Sequence, residues 1–398
     1  MPSLQQLTQT PNILAQDYQH AAVGARIMLT GHIHQAMPDC AGLAYQEHWD
    51  CLNRYGEERF DQEFEMADKV RAGFAGLIHG AAEDIALAGS VHALFVRFLS
   101  SLPLDARPRI ITSDAEYPSI ARQLVRLAEA GIEVIFEPAN PASTLVERLA
   151  RHVNDKTAAV CASSVNFETG HQSVELDTLM PLCAAKGVEL FVDAYHSVNV
   201  LSFSVQDYNL QQAFVVGGGA KYCQMGSGLA FMHVPEGRQF RPLVTGWFGA
   251  FDPIVDEPAT SPLMYGDAGA RFHGSSMDML PVFRANRVFD YFQRQGLDPD
   301  FLDDVHHHQL ELLSSTFKQF NFNPAVIELS TSLEYMGGFL SFSSPHAKQL
   351  CEMMRDRGVH TDFRKQWLRM GPAPYLCDEQ LRDAIHALEE SVKELPGS

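Results

Sequence analysis

A chain of 398 residues, 46% hydrophobic and 20% charged, can bury a large core and has the composition of an ordinary globular protein with room for two domains. Its 30 Lys and Arg against 49 Asp and Glu leave a formal charge of −19, which argues against nucleic acid or an anionic membrane as partner. Seven scattered cysteines without a C-x-x-C pair, no basic and apolar leader, and no apolar run long enough for a membrane span lead to the expectation of free thiols in a cytoplasmic protein.

Near the start, "GHIHQ" (Gly31 to Gln35) sets His32 and His34 two apart, either at the mouth of a site or as structural loop histidines. From about residue 60 to 235, helical patterns alternate with apolar runs. "LAGSVHALFVRFL" puts Gly89, Ser90 and Val91 at a helix start, where backbone N–H groups and the Ser90 hydroxyl can bind phosphate or simply cap the helix. Strands are expected at "RIITSD", "EVIFEP", "TAAVCASSV", "VELFVDAY", "AFVVGG" and "GLAFMHV", each apolar throughout, as a sheet covered on both faces requires. Tyr117 in "SDAEYPSI" follows the first of them, a ring that can stack or merely pack. Asp193 and His196 in "FVDAYHSVN" follow the fourth; a strand-end Asp is also an ordinary turn residue. The βαβ alternation predicts a mostly parallel, doubly wound sheet with its ligand crevice at the carboxyl ends of the strands.

Lys221 then stands in "VVGGGAKYCQMGSG", between three glycines and the pair Gly226 and Gly228. A phosphate-loop lysine would need a following hydroxyl, and Tyr222 follows; a dinucleotide fingerprint is also missing. A lysine that forms a Schiff base with a carbonyl cofactor fits better, because pyridoxal 5'-phosphate also needs an acid at its ring nitrogen, a stacking group, a phosphate cup and a cation for the substrate carboxylate. Beyond about Phe283 the pattern changes to long amphipathic helices and a short β/α section, so a large domain over 46–282 and a small domain of 1–45 with 283–398 are expected. The run His306 to His308 in that region points around a helix instead of to one side and reads as a solvated face, not a metal site. Arg369, in "WLRMGPAPY", has the planar fork that grips a carboxylate.

Together these stretches resemble the class V aminotransferase branch of the fold-type I pyridoxal-phosphate enzymes, and within it kynureninase. "AKYCQMGSG" is similar to that family's K-Y-x-x-x-G-x-G, "TGWFGAF" to its G-W-[WF]-G-H, "ARFHGSS" to the class V R-F-x-x-G-T, and "RMGPAPYL" to its R-[VI]-x-P-x-P-L-Y. "VHTDFR" precedes the last as the family's D-x-R does, and the likeness runs from about residue 26 to 390. The resemblance implies that Lys221 carries the cofactor, Asp193 pairs with its ring nitrogen, His196 lies beside the ring and Tyr117 stacks on it. It further implies that Ser90 and Val91 cup the phosphate, that Trp247 and Ser275 complete the site from the other subunit of a homodimer, and that Arg369 holds the substrate carboxylate. Departures fall on other positions: Ala220 where the family has Tyr before the lysine, Ile120 where it has Asp, "GHIHQ" for G-N-S-L-G, and Ala250 for the last residue of G-W-[WF]-G-H. The implied activity is hydrolytic Cβ–Cγ cleavage of an L-amino acid. The alternatives are β-elimination of the C–S lyase kind, transamination, or a non-catalytic pyridoxal-phosphate-binding relative. A desulfurase of the common type is disfavoured because Cys351 lies in the helical pattern "HAKQLCEMMRDRG" and not on a loop.

Overall fold

The computed structural model describes residues 2–173, 175–250, 262–329 and 332–395. After a two-residue strand β1 (Ile27–Met28), the chain forms β2 (Ile85–Ala88), β3 (Arg109–Ser113), β4 (Glu133–Glu137), β5 (Thr157–Ser163), β6 (Glu189–Asp193), β7 (Phe214–Gly218) and β8 (Ala230–His233). These last seven make one sheet in the order β2-β8-β7-β6-β5-β3-β4. It is parallel from β7 to β4, while β8 runs antiparallel to both its neighbours. The six strands read from sequence are all present; β2 is an addition, a four-residue run of Ile, Leu and Ala too short to separate from the helices around it.

The apolar runs have the physical reason expected of them. Alternate residues go to opposite faces. Leu190, Val192, Val215 and Phe231 join one core cluster, while Phe191, Phe214, Val216 and Met232 join the other. The helix Val91–Ser100 covers the second face, with Phe98 ring centroids 4.9 Å from Phe191 and 4.8 Å from Phe214. On the first face Phe74, from the helix Arg59–Leu77, stacks on Phe231 at 4.6 Å. With both faces sealed, the free edge of the sheet is its row of carboxyl-end loops. The chain runs outward from β3 to β4 and returns to β5 on the other side of β3.

The C-terminal part builds a second, antiparallel sheet from β9 (Glu328–Leu329), β10 (Leu340–Ser343), β12 (Asp362–Arg364) and β13 (Trp367–Met370) in the order β12-β13-β10-β9. The remaining strand, β11 (Val359–His360), pairs with β1, and Thr30 bridges to Gly371, so the N-terminal "GHIHQ" loop is tied beside β13 and Arg369. The long helices Leu280–Gln295 and Pro299–Gln319 fall where the 3.6-residue pattern predicts. One expectation fails on the second. His306 is not on a solvated face but buried, its Nε2 lying 3.2 Å from the Gly337 carbonyl, and burial pushes its pKa down to about 4. His307 and His308 are turned elsewhere, against Asp303 and Asp378. All seven cysteines are free thiols, and Cys351 is buried. Among the described residues no helix is long and apolar enough to cross a membrane.

Candidate active site

A cavity of about 330 Å³ opens at the carboxyl ends of β6, β7 and β2, and Ser90, Val91, Tyr117, Asp193, His196 and Lys221 all line it. They arrive from four strand ends, those of β2, β3, β6 and β7. Asp193 is the last residue of β6, and Lys221 lies three residues past the end of β7. Ser90 caps the helix after β2, its Oγ accepting the Ala93 N–H at 3.2 Å. Tyr117 caps the helix that follows β3, the Pro118 ring fixing the first turn. A larger hollow of about 600 Å³ beside Phe64, Arg71 and His273 contains no lysine and lies away from these groups.

Lys221 is held for chemistry rather than for solvent. Its Nζ is 2.6 Å from His196 Nε2, and lies 4.9 Å from the Tyr195 ring centre and 5.2 Å from that of Tyr117. Burial pushes its pKa down to about 7; Asp193 opposes the shift and Arg369 adds to it. The same burial, with Lys221 beside it, holds His196 well below the usual imidazole range, so the ring is neutral and can accept from the Lys221 amine. Asp193 is raised by burial, against a 2.9 Å hydrogen bond from the Tyr195 N–H and the nearby Lys221. Beneath them the buried Glu116 accepts from Ser113 Oγ at 2.8 Å and Ser163 Oγ at 2.5 Å, tying β3 to β5; burial pushes its carboxyl up to about 7.

Arg369 stands at the far side of Lys221, its guanidinium donating to the Phe167 carbonyl and the Asp362 carboxylate, with Phe339 below at 5.5 Å. Burial alone would raise Asp362, but His32 and Arg369 outweigh it and hold the carboxyl well below its usual range. Arg369 Nε is buried with no partner, and so are both ring nitrogens of His32. His32 stacks on Phe339 at 4.4 Å and approaches Asp362 at 3.7 Å, beyond hydrogen-bond reach; burial pushes its pKa down to about 3.

Not every expected residue meets the others. Arg369 and His32 are buried behind the cavity wall and not in its lining, and His34 is exposed and outside it; Ile33, between the two histidines, lines it. Trp247 and Ser275 of this chain also lie outside the lining, the Trp247 Nε1 donating to Ser276 Oγ at 2.9 Å. Ile120 packs into the core under the helix Pro118–Glu129 and does not face the cavity. Sequence reading missed Tyr195, His92 and Ser119, all in the lining. Tyr195 sits between two residues that were singled out, and the glycine run signals it: a Cβ on Gly218 would come within 2.7 Å of the Tyr195 ring. The glycines before Lys221 therefore make room for side chains of the protein itself.

Comparison with known proteins follows this geometry. The family model for class-V aminotransferases matches residues 41–334, and that for the kynureninase C-terminal domain matches 311–388. The chain is 26% identical over 352 residues to the kynureninase of Deinococcus radiodurans, covering 83% of this chain and 80% of that one. It is 21% identical over 363 residues to the uncharacterized aminotransferase YcbU of Bacillus subtilis, covering 90% and 92%. Among solved structures, the fold is similar to a C-DES variant with glycine covalently linked to its PLP cofactor, with a TM-score of 0.82 at 17% identity over 94% of this chain and 98% of that one. The cysteine desulfurase of Thermococcus onnurineus gives a TM-score of 0.79 at 15% identity, covering 97% and 98%.

Proposed function

The chain belongs to the class-V aminotransferase family and works with pyridoxal phosphate, and from that premise we propose that it hydrolyses an L-amino acid bearing a γ-carbonyl between Cβ and Cγ, as a kynureninase does. The observation that carries the reading is the match of the kynureninase C-terminal domain to 311–388, and a half-buried Lys221 amine 2.6 Å from His196, facing Asp193 in one cavity, supplies the base it needs. The cavity suits the cofactor in size and in donor set. A neutral amine can attack its aldehyde, a buried carboxylate can hold a proton on its ring nitrogen, and a capped helix start at Ser90 can take its phosphate.

When bound, the cofactor supplies an electron sink for charge developing at the substrate Cα. The protein supplies the rest. Arg369, with its unpartnered Nε, is proposed to receive the substrate carboxylate, and Tyr117 to cover the ring. Lys221 Nζ would be the base that takes the Cα proton, and a pKa pushed down to about 7 gives it an unprotonated fraction at neutral pH that an ordinary lysine lacks. His196 accepts from that amine and holds it in place. The match of the kynureninase C-terminal domain to 311–388, a span that includes Asp362 and Arg369, supports hydrolysis over the sister reactions.

A second reading, β-elimination at a Cβ–S bond, rests on the same Lys, Asp and Arg set. The persulfide-carrying desulfurase form is disfavoured, because no cysteine lines the cavity and Cys351 is buried, its Sγ 3.5 Å from the Thr361 carbonyl. The two readings separate by product. Incubating the holoprotein with L-kynurenine and, separately, with L-cystine is expected to release alanine and anthranilate from the first and no pyruvate from the second. Pyruvate from cystine with no alanine from kynurenine would reverse the assignment.

A further inference from the structure

We propose that the Tyr195 phenol is a cofactor-binding group, completing the phosphate cup that Ser90 begins. The inference rests on the reading that the Lys221 cavity holds pyridoxal phosphate. Tyr195 lies two residues past Asp193, and its ring crosses the end of β7: a Cβ on Gly218 would fall 2.7 Å from the ring and 2.8 Å from the phenol oxygen. In the strand order β6, β7, β8, β2 the end of β7 that the ring crosses lies between Asp193, at the end of β6, and the helix start at Ser90, after β2. The oxygen accepts the Ala220 N–H at 3.2 Å, which fixes its position, while its own hydrogen has no acceptor among the described residues. A donor anchored in this way on the wall of a cavity it shares with Ser90, Val91 and Ser227 is free to donate to an acceptor there, and an anionic oxygen is the acceptor that gains most from it. Ala220, with nothing beyond its Cβ, cannot supply that donor from the neighbouring position. Burial raises the phenol well above its usual pKa, so it remains an O–H.

Affinity of the apoprotein for pyridoxal phosphate and for pyridoxal, which lacks the phosphate, tests this directly. Tyr195→Phe keeps the ring over Gly218 and is expected to weaken pyridoxal phosphate binding by about tenfold or more, the scale of one charge-assisted hydrogen bond, and to leave pyridoxal binding unchanged. Equal losses for both, or no loss for either, would overturn the inference. If circular dichroism shows that this variant does not fold, Tyr195→His, a smaller donor, is expected to keep part of the preference for the phosphorylated form; loss of affinity for both forms alike would again overturn it. A wild-type protein that binds the two forms equally would sink the cavity assignment itself, and the tyrosine with it.

Discussion

Lys221 is a lysine whose burial disfavours its usual charge. An amine must be unprotonated to attack a carbonyl, and burial pushes this one down to about 7 from an ordinary 10.5. The rate at which apoprotein takes up pyridoxal phosphate, followed by absorbance, should therefore rise with pH to a half-maximum near 7; a half-maximum near 10.5 would mean an exposed amine. Glu116 is displaced in the opposite direction, from 4.5 to about 7. In that window the folded carboxyl holds a proton that the unfolded chain has lost, so stability falls as pH rises through it. Glu116→Gln removes the titration, and its melting-temperature advantage over wild type should widen from pH 5 to pH 7.5, roughly the span of the shift. A constant gap would contradict the burial argument. Lys221, Asp193, His196, Ser90 and Tyr117 were legible in the sequence because strand ends can be read from apolar runs, and ligands gather at strand ends. Glu116 was not, since nothing local says that two serines of neighbouring strands will close over it.

At the scale of elements, one pattern accounts for both the sheet and the position of the site. Strands apolar on both faces must be covered twice, and the Val91–Ser100 helix that covers β6 and β7 is the same element whose capped start faces the cavity. Phe98 locks that helix down. Phe98→Ala should cost about 3–5 kcal/mol in denaturant unfolding and loosen cofactor binding through the displaced Ser90. An unaltered midpoint would show that the helix is held by other contacts. The antiparallel edge formed by β2 and β8 escaped the sequence because periodicity reports burial but not direction, and β2 is only four residues long. The glycine run before Lys221 was legible as a close approach, but whose atoms approach was not; Gly218 faces the Tyr195 ring and Gly217 the Phe231 ring.

For the whole molecule, the unpaired surface matters most. The helix Leu43–Arg54 exposes Leu43, Tyr45, Trp49 and Leu52, and Leu243 is 87% exposed. With Trp247 and Ser275 outside their own chain's cavity, we propose a homodimer in which these residues serve the partner's site. Sedimentation should give about twice the chain mass, and Trp49→Asp should lower both dimer content and cofactor retention. A fully active monomer would refute shared sites. The sequence carried the residues of this arrangement through its family resemblance, but no local pattern identifies which exposed side chains meet.

The central claim, that Lys221 holds the cofactor, has one direct measurement. Borohydride reduction of the holoprotein followed by peptide mass spectrometry should find the phosphopyridoxyl mass on the peptide carrying Lys221, and none in Lys221→Ala. A label on any other lysine, or an undiminished label in that variant, would contradict the account.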